Sequence, residues 1–490
     1  MDQGKIDRLR NEPIKEPMMI IGGKTALAMS GRTLPVISPI DGQEIAQIPD
    51  ADKDDVDMAV SAARLSFESS IWAGLAPAAR KSVLLRWADL IEENALELAV
   101  LGVRDNGTEI SMAYKAEPIS AIGTIRYYAE AIDKVYGEVA PTGPDTLGMI
   151  LREPVGVVAA IVPWNFPMMI AAWKIAPALA SGNSVVVKPS EMASLTVMRM
   201  VALALEAGLP DGVLNVVTGT GAVAGKALAR SMDVDALAFT GSGRVGRQLM
   251  EYAAQTNLKR VFLELGGKSP QIIFDDCMDL DKAATAVVNG IFRNAGQVCV
   301  AGSRLIVQRS IYDVFLKKII ELTAKMCVGD PLNITTQIGA LNSESHMQRV
   351  LDMVTGAHST ETGGERVHTD TGGFYIAPTI ISGVTEDDPL FKEEVFGPIL
   401  TVTVFDEETD ATRLANDTEL GLAAGIWTDN LSRAHRMAAA VRAGVVHVNT
   451  FGGVDNTVPL GGYKQSGNGQ DKSLLAIDKF TNRKTVWIKL

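Results

Sequence analysis

Cysteine is scarce in this chain: 490 residues contain three, Cys277, Cys299 and Cys327, with no CxxC pair and an odd count. That argues against a disulfide framework and a thiolate zinc site and suits a reducing, cytoplasmic compartment. Histidine is also sparse. None of His346, His358, His368, His435 and His447 has HExxH spacing or a Cys–His protease setting, so no metal is expected and peptidase chemistry gains no support. Positive charge is short as well. Lys plus Arg number 46 against 58 Asp plus Glu, a net charge of −12, which repels phosphate backbones and anionic lipid and leaves nucleic acid and membrane as unexpected partners. The opening MDQGKIDRLRNEPIKEP lacks the apolar core of a signal peptide, again pointing to the cytoplasm. There is no solenoid repeat and no low-complexity tract.

What is present is an ordinary globular composition, 47% hydrophobic and 21% charged, over a length that exceeds one core and predicts two domains. Val155 to Trp173 is nineteen residues without a charge, long enough to cross a bilayer. Its PWNFP centre defeats that reading, because Pro163 and Pro167 interrupt helical hydrogen bonds that hydrocarbon cannot replace. A buried strand, a sharp turn and a buried helix fit better.

From there, short apolar runs alternate with helical patterns: VGVVAAIV, MMIAAWKIAPALA, SVVVKP, EMASLTVMRMVALALEAG, LNVVTG, ALAFT and RVFLEL. Near-continuous apolar strands joined by helices predict a parallel sheet covered on both faces. The alternation restarts after Gly267 with QIIFD, SRLIVQ, FGPILTVTVF, GLAAGIWT and GVVHVN, which predicts a second α/β unit. Met58 to Val103 carries apolar residues at helical spacing, as flanking helices would.

Candidate chemistry gathers in a few places. Cys299, in GQVCVAGSR after a helix, is either a nucleophile or a small buried hydrophobe. Cys277 follows two acids and Cys327 ends an apolar helix, so neither is favoured as a thiolate. Glu264, inside the apolar strand of LELGG, is either a general base with a raised pKa or half of an ion pair with Lys259 or Arg260. Asn165 either donates to a developing oxyanion or hydrogen-bonds its own turn. Gly219, Gly221 and Gly225 of GTGAVAG are one residue too long for GxGxxG. FTGSGRVG, from Phe239 to Gly246, opens a helix whose N-terminus, with Ser242, suits a pyrophosphate; tight turns are the plainer reading of both loops. Lys188 and Glu191 of KPSE end the second strand of the series, where an acid binds ribose hydroxyls, repels a 2′-phosphate and favours NAD; Lys188 softens that preference and leaves NADP open.

PWNFP, KPSE, FTGSGRVG, LELGGKSP, GQVCVAGSR, EEVFGP and PLGGYKQSGNG together resemble the aldehyde dehydrogenase superfamily in order and spacing, across nearly the whole chain. Within it the chain looks most similar to bacterial γ-glutamyl-γ-aminobutyraldehyde and broad aminoaldehyde dehydrogenases. The resemblance implies an α/β fold in which residues 1–131 and 151–258 form a Rossmann-type cofactor domain, 259–467 a catalytic domain, and 132–150 with 468–490 an oligomerisation arm giving a homodimer or homotetramer.

It also implies roles. Cys299 would attack the aldehyde, Asn165 and the Cys299 N–H would stabilise the oxyanion, hydride would pass to NAD (or NADP), and Glu264 would activate water to hydrolyse the thioester to a carboxylic acid. Trp164, Lys188, Glu191, Gly221, Gly225, Phe239, Gly241, Ser242, Gly246, Leu265, Glu394 and Phe396 would hold the cofactor. Phe166, Trp173, Phe451 and Leu460 would line a substrate tunnel, with Asp455 either attracting an ammonium group or sitting in a solvated loop. Leu460 stands where many members have Phe, and Gln470 where SGxGR members have Arg. CoA-acylating semialdehyde oxidation is the alternative enzyme, and a non-catalytic member of the fold the alternative of another class.

Overall fold

A computed structural model describes residues 1–356 and 359–490; His358 lies outside them. Two seven-stranded sheets organise the chain. The first runs Arg260–Glu264, Ala236–Thr240, Val157–Val162, Ser184–Pro189, Leu214–Val216, Met19–Ile21, Lys24–Ala26. Its first five strands are parallel, and Met19–Ile21 joins antiparallel. Every run of the first predicted series is a strand or helix here. Val157–Val162 is central, which is why its sequence is apolar without alternation. The charge-free stretch then turns through Pro163 and enters the helix Pro167–Ala180 with proline at its first position, where the missing N–H costs nothing.

The second sheet runs Thr360–Thr362, Thr379–Ile381, Ile399–Phe405, Arg304–Gln308, Pro270–Ile273, Ala423–Trp427, Val445–Val448, parallel except at its first pair. Each sheet has its own buried cluster, and Val298 packs against both. Cys299 therefore lies at the seam between two layers.

The strand Arg260–Glu264 is an edge strand of the first sheet. It pairs with Ala236–Thr240 from Arg260↔Ala236 to Glu264↔Thr240 and completes the first sheet, as its apolar run predicts. The chain crosses to the second sheet after it, through Gly266 and Gly267.

A third sheet is separate: Thr481–Lys489 pairs with Thr146–Pro154, and that strand with Glu138–Ala140. Its long middle strand continues past Ile150 to Pro154. Tyr136, Val139, Trp487 and Leu490 are exposed on or beside it.

Candidate active site

Four strands of the first sheet end at candidate residues: Val157–Val162 feeds Trp164 and Asn165, Ser184–Pro189 ends in Lys188 before Glu191, Ala236–Thr240 leads to Gly241 and Ser242, and Arg260–Glu264 ends on Glu264. Carboxyl ends of parallel strands form the ligand crevice of such sheets.

Cys299 enters from the other layer, between the helix Leu280–Phe292 and the strand Arg304–Gln308. Asn294, Ala295 and Gly296 are all left-handed, with φ of 52°, 49° and 72°, which folds the chain back sharply after the helix. Asn294 fixes the bend. Its Oδ1 accepts from the Thr108 hydroxyl at 2.7 Å, and its Nδ2 donates to the Gln297 carbonyl at 3.2 Å. Asn165 Nδ2 donates to that same carbonyl at 2.9 Å. Asn165 thus braces the cysteine loop instead of its own turn, and one amide hydrogen remains for a further acceptor. A Cβ at Gly267 would overlap the Cys299 carbonyl oxygen, so glycine is required for LELGG to pass this closely.

Glu264 is 2% exposed, and neither carboxyl oxygen has a hydrogen-bond partner. The expected ion-pair partners are occupied elsewhere: Lys259 Nζ donates to the Ala229 carbonyl at 2.8 Å, and Arg260 to the Thr481 carbonyl at 3.1 Å. Burial first, then the charge of Asp471, pushes the Glu264 pKa well up, partly offset by Lys174 and Lys479. Burial also raises the Cys299 thiol, with the Glu264 and Glu394 carboxylates adding to it.

Two sequence pieces read separately form one corner. Lys188 Nζ donates to Glu191 at 3.3 Å, the other Glu191 oxygen accepts from the Gly221 N–H at 3.3 Å, and Gly225 lies against the Lys188 stem. Ser242 caps the helix Gly243–Ala254 by accepting from the Val245 N–H. The Phe239 ring covers Gly241, and Gly246 lets Leu263 and Leu265 pack against the helix. A glycine-lined helix N-terminus beside a Lys–Glu corner fits a dinucleotide: the former suits pyrophosphate, the latter adenosine ribose hydroxyls. Glu394 accepts from the Gly267 N–H at 2.9 Å and covers Gly266, with its carboxyl pushed up to about 7 by burial.

Trp164 and Phe396, far apart in sequence, have ring centroids 5.4 Å apart, and His346 stands 5.4 Å from Trp164. His346 escaped sequence reading, since a lone histidine in a polar helix gives no signal. Burial lowers its pKa to about 4, so it is neutral. Its Nε2 faces the Phe396 carbonyl at 2.8 Å and must therefore carry the hydrogen. A second missed group is the buried cluster in which Lys174 (3.0 Å) and Lys479 both pair with Asp471. One lysine inside the apolar MMIAAWKIAPALA was the available signal.

Phe166, Trp173 and Leu460 share a cluster with Val298, Val300 and Val454, the first two flanking Cys299. Phe451 does not: its ring packs on Gly290 and Gly425 beside Gln271, because those glycines leave grooves in the second layer. Asp455 is exposed and accepts from the Thr457 N–H of its own loop at 2.8 Å, a solvated loop residue.

Behind the site, Asp105, Glu109 and Glu117 are wholly buried. Burial pushes Asp105 and Glu109 up to about 7 and Glu117 to about 8, from 3.8, 4.5 and 4.5. An acid with a raised folded pKa binds its proton more tightly when folded. Its contribution to stability is full below the unfolded pKa and is lost as pH rises through the folded one. The thermal midpoint is therefore expected to fall from about pH 5 to 8, each acid contributing at most about 1.4 kcal/mol per pH unit in its window. Glu117→Gln should flatten that slope in calorimetric scans; an unchanged slope contradicts the assignment.

Residues 27–486 match the aldehyde dehydrogenase family. The chain is 49% identical over 477 residues to the NADP/NAD-dependent aldehyde dehydrogenase PuuC of Escherichia coli, covering 97% of this chain and 96% of that one. Among solved structures it is similar to the indole-3-acetaldehyde dehydrogenase AldA of P. syringae in complex with NAD+ and IAA, with a TM-score of 0.98, 48% identity and 100% of both chains covered. The same TM-score of 0.98, 48% identity and 100% coverage of both chains apply to a γ-glutamyl-γ-aminobutyraldehyde dehydrogenase from Burkholderia cenocepacia.

Proposed function

The chain belongs to the aldehyde dehydrogenase family and oxidises aldehydes with a nicotinamide cofactor, and on that premise we propose that Cys299 is its nucleophile, Asn165 its oxyanion donor and Glu264 its general base. The observation that carries the reading is Glu264: a fully buried carboxyl with two unbonded oxygens, close enough to Cys299 to raise its thiol. A structural acid would be paired.

The Cys299 thiol gives up its proton to solvent, its sulfur bonds to the aldehyde carbon, and the carbonyl electrons move to oxygen, where the spare Asn165 amide hydrogen and the Cys299 N–H receive the charge; one such donor is worth about 3 to 4 kcal/mol in rate. Bound nicotinamide supplies the two-electron acceptor for the hydride that leaves the carbon as the C=O re-forms. The acyl group is then a thioester on Cys299. Glu264 removes a proton from water as its oxygen attacks the acyl carbon, the C–S bond breaks, and carboxylic acid and thiol are released. Full-rate acid formation without CoA, in step with reduced nicotinamide, tests this course; dependence on CoA would overturn it.

Lys188 and Glu191 set the cofactor preference. Glu191→Ser removes the acid that meets a 2′-phosphate and leaves the Lys188 cation, so the ratio of kcat/KM for NADP over NAD should rise about tenfold or more; a ratio that stays put contradicts the assignment. The substrates are aminoaldehydes or broad aliphatic and aromatic aldehydes, supported by the names of the similar proteins, and a kcat/KM panel across those classes reads this directly. The exposed apolar residues of the third sheet and its open edge strand Thr481–Lys489 support a homodimer or homotetramer, to be read by sedimentation against the 52.2 kDa chain mass. Among the described residues no helix is long and apolar enough to cross a membrane. The three free cysteines support a cytoplasmic location, which cell fractionation would test.

A further inference from the structure

The helix Ala95–Asn106, the short helix Ile110–Tyr114 and the π-helical turn Lys115–Ile119 follow one another in sequence and contribute none of the reacting groups. Their three buried acids nevertheless each reach a different arm of the site. Glu117 Oε2 accepts from the Met169 N–H at 2.7 Å, in the first turn of the helix Pro167–Ala180 and four residues beyond Asn165. Asp105 Oδ2 accepts from the Leu195 N–H at 2.9 Å, at the start of the helix Leu195–Glu206, just beyond Lys188 and Glu191. Glu109 Oε2 accepts from the Asn294 N–H at 3.1 Å, while its other oxygen pairs with Arg293, at the bend that presents Cys299.

Helix starts leave N–H groups that a local Ser, Thr, Asp or Asn ordinarily satisfies. Here Phe166 and Ser194 supply no side-chain cap, and the acceptors come from distant acids that are 0% to 1% exposed. A local cap would satisfy the N–H groups without the desolvation cost of a buried carboxyl. It would not tie three chain segments to a common support, and that difference is what the remote acids supply. The bridge is dense: Thr108, beside Glu109, donates to the Asn294 side chain at 2.7 Å, and Asn106 organises Thr108 by accepting its N–H at 3.0 Å.

We infer that the stretch from Asp105 to Glu117 organises the active site, with Glu117, Asp105 and Glu109 as positioning residues for the Asn165 turn, the ribose-facing loop and the cysteine loop respectively. The inference rests on the roles proposed above for Asn165, Lys188, Glu191 and Cys299.

Three readouts on the full chain separate the arms: NAD affinity by fluorescence, the single-turnover rate at saturating NAD, and site-resolved alkylation of Cys299 by iodoacetamide. Glu117→Ala should slow single turnover about 10- to 100-fold with NAD affinity held within about threefold, the scale on which a displaced oxyanion donor acts. Asp105→Ala should weaken NAD about tenfold while leaving the saturated single-turnover rate within about threefold. Glu109→Ala should change the alkylation rate of Cys299 with NAD affinity held. Glu117→Gln and Asp105→Asn keep an accepting oxygen and should restore the affected readout. If an alanine variant does not fold, Glu117→Asp, which withdraws the acceptor by one methylene, should show the same split. Parallel loss of all three readouts, a fall in thermal stability alone, or no rescue by the amides overturns the inference. A wild-type chain that produces no reduced nicotinamide overturns the functional reading instead, and the affinity and alkylation readouts would still judge the positioning roles.

Discussion

Cys299→Ala is expected to abolish aldehyde oxidation, with kcat lower by about 10⁴-fold or more, the scale seen when an activated nucleophile is removed. Without the sulfur there is no tetrahedral adduct from which hydride can leave, and no neighbouring group takes its place: among the described residues Cys277 is buried away from the site and Cys327 is exposed. NAD affinity should be unchanged within about twofold, because alanine removes only the sulfur from a residue that holds its neighbours through the main chain. The Cys299 carbonyl against Gly267 is such a contact. Cys277→Ser and Cys327→Ser should retain wild-type turnover. The electrostatics add a second measurement. Burial and two nearby carboxylates push the thiol up in the cofactor-free chain, so little thiolate exists at neutral pH, and alkylation of Cys299 should accelerate as pH rises. Fast, pH-independent alkylation near pH 6 would contradict that environment, and residual oxidation above about 10% in Cys299→Ala would remove the cysteine from the mechanism.

The elements that frame the candidate site are legible in the sequence. Strand ends carry short local motifs, so the apolar runs that lead to Asn165, Lys188, Ser242 and Glu264 are legible as strands in the sequence, and they are strands. The run RVFLEL likewise reads as one more parallel strand, and it is one. Groups whose role comes from pairing across the fold leave weaker traces. Asp471 is buried between Lys479, eight residues on, and Lys174, 297 residues back, and its local context, GNGQDK, reads as a polar loop. Phe451 sits apart from the other aromatics for a similar reason. An aromatic beside a candidate tunnel looks like lining, but Gly290 and Gly425 open a groove that takes the ring into the second layer. Local pattern records which face a residue lies on, whereas the neighbour that fills a groove is decided by chain crossings that no window of sequence contains.

Glu264→Gln should leave acylation largely intact and stall the chain as a thioester. The amide is nearly isosteric, so the 2% exposed site keeps its packing, but an amide cannot take a proton from water. Loss of a general base typically lowers a rate about 10²- to 10⁴-fold. The expected record is a burst of about one reduced nicotinamide per active site, followed by slow turnover, with intact mass showing the acyl adduct on Cys299. The sign of the pH dependence follows from the raised pKa. Burial and Asp471 disfavour the carboxylate, so the basic form is a minority at neutral pH and the deacylation rate should climb as pH rises, until Glu264 is ionised. Glu264→Gln has no group to ionise there, so that limb should vanish while the acylation burst survives. Two outcomes would remove the base assignment: steady-state turnover equal to wild type, or a wild-type pH limb that persists in the variant. A third, loss of the burst together with the turnover, would move Glu264 from hydrolysis to activation of the thiol.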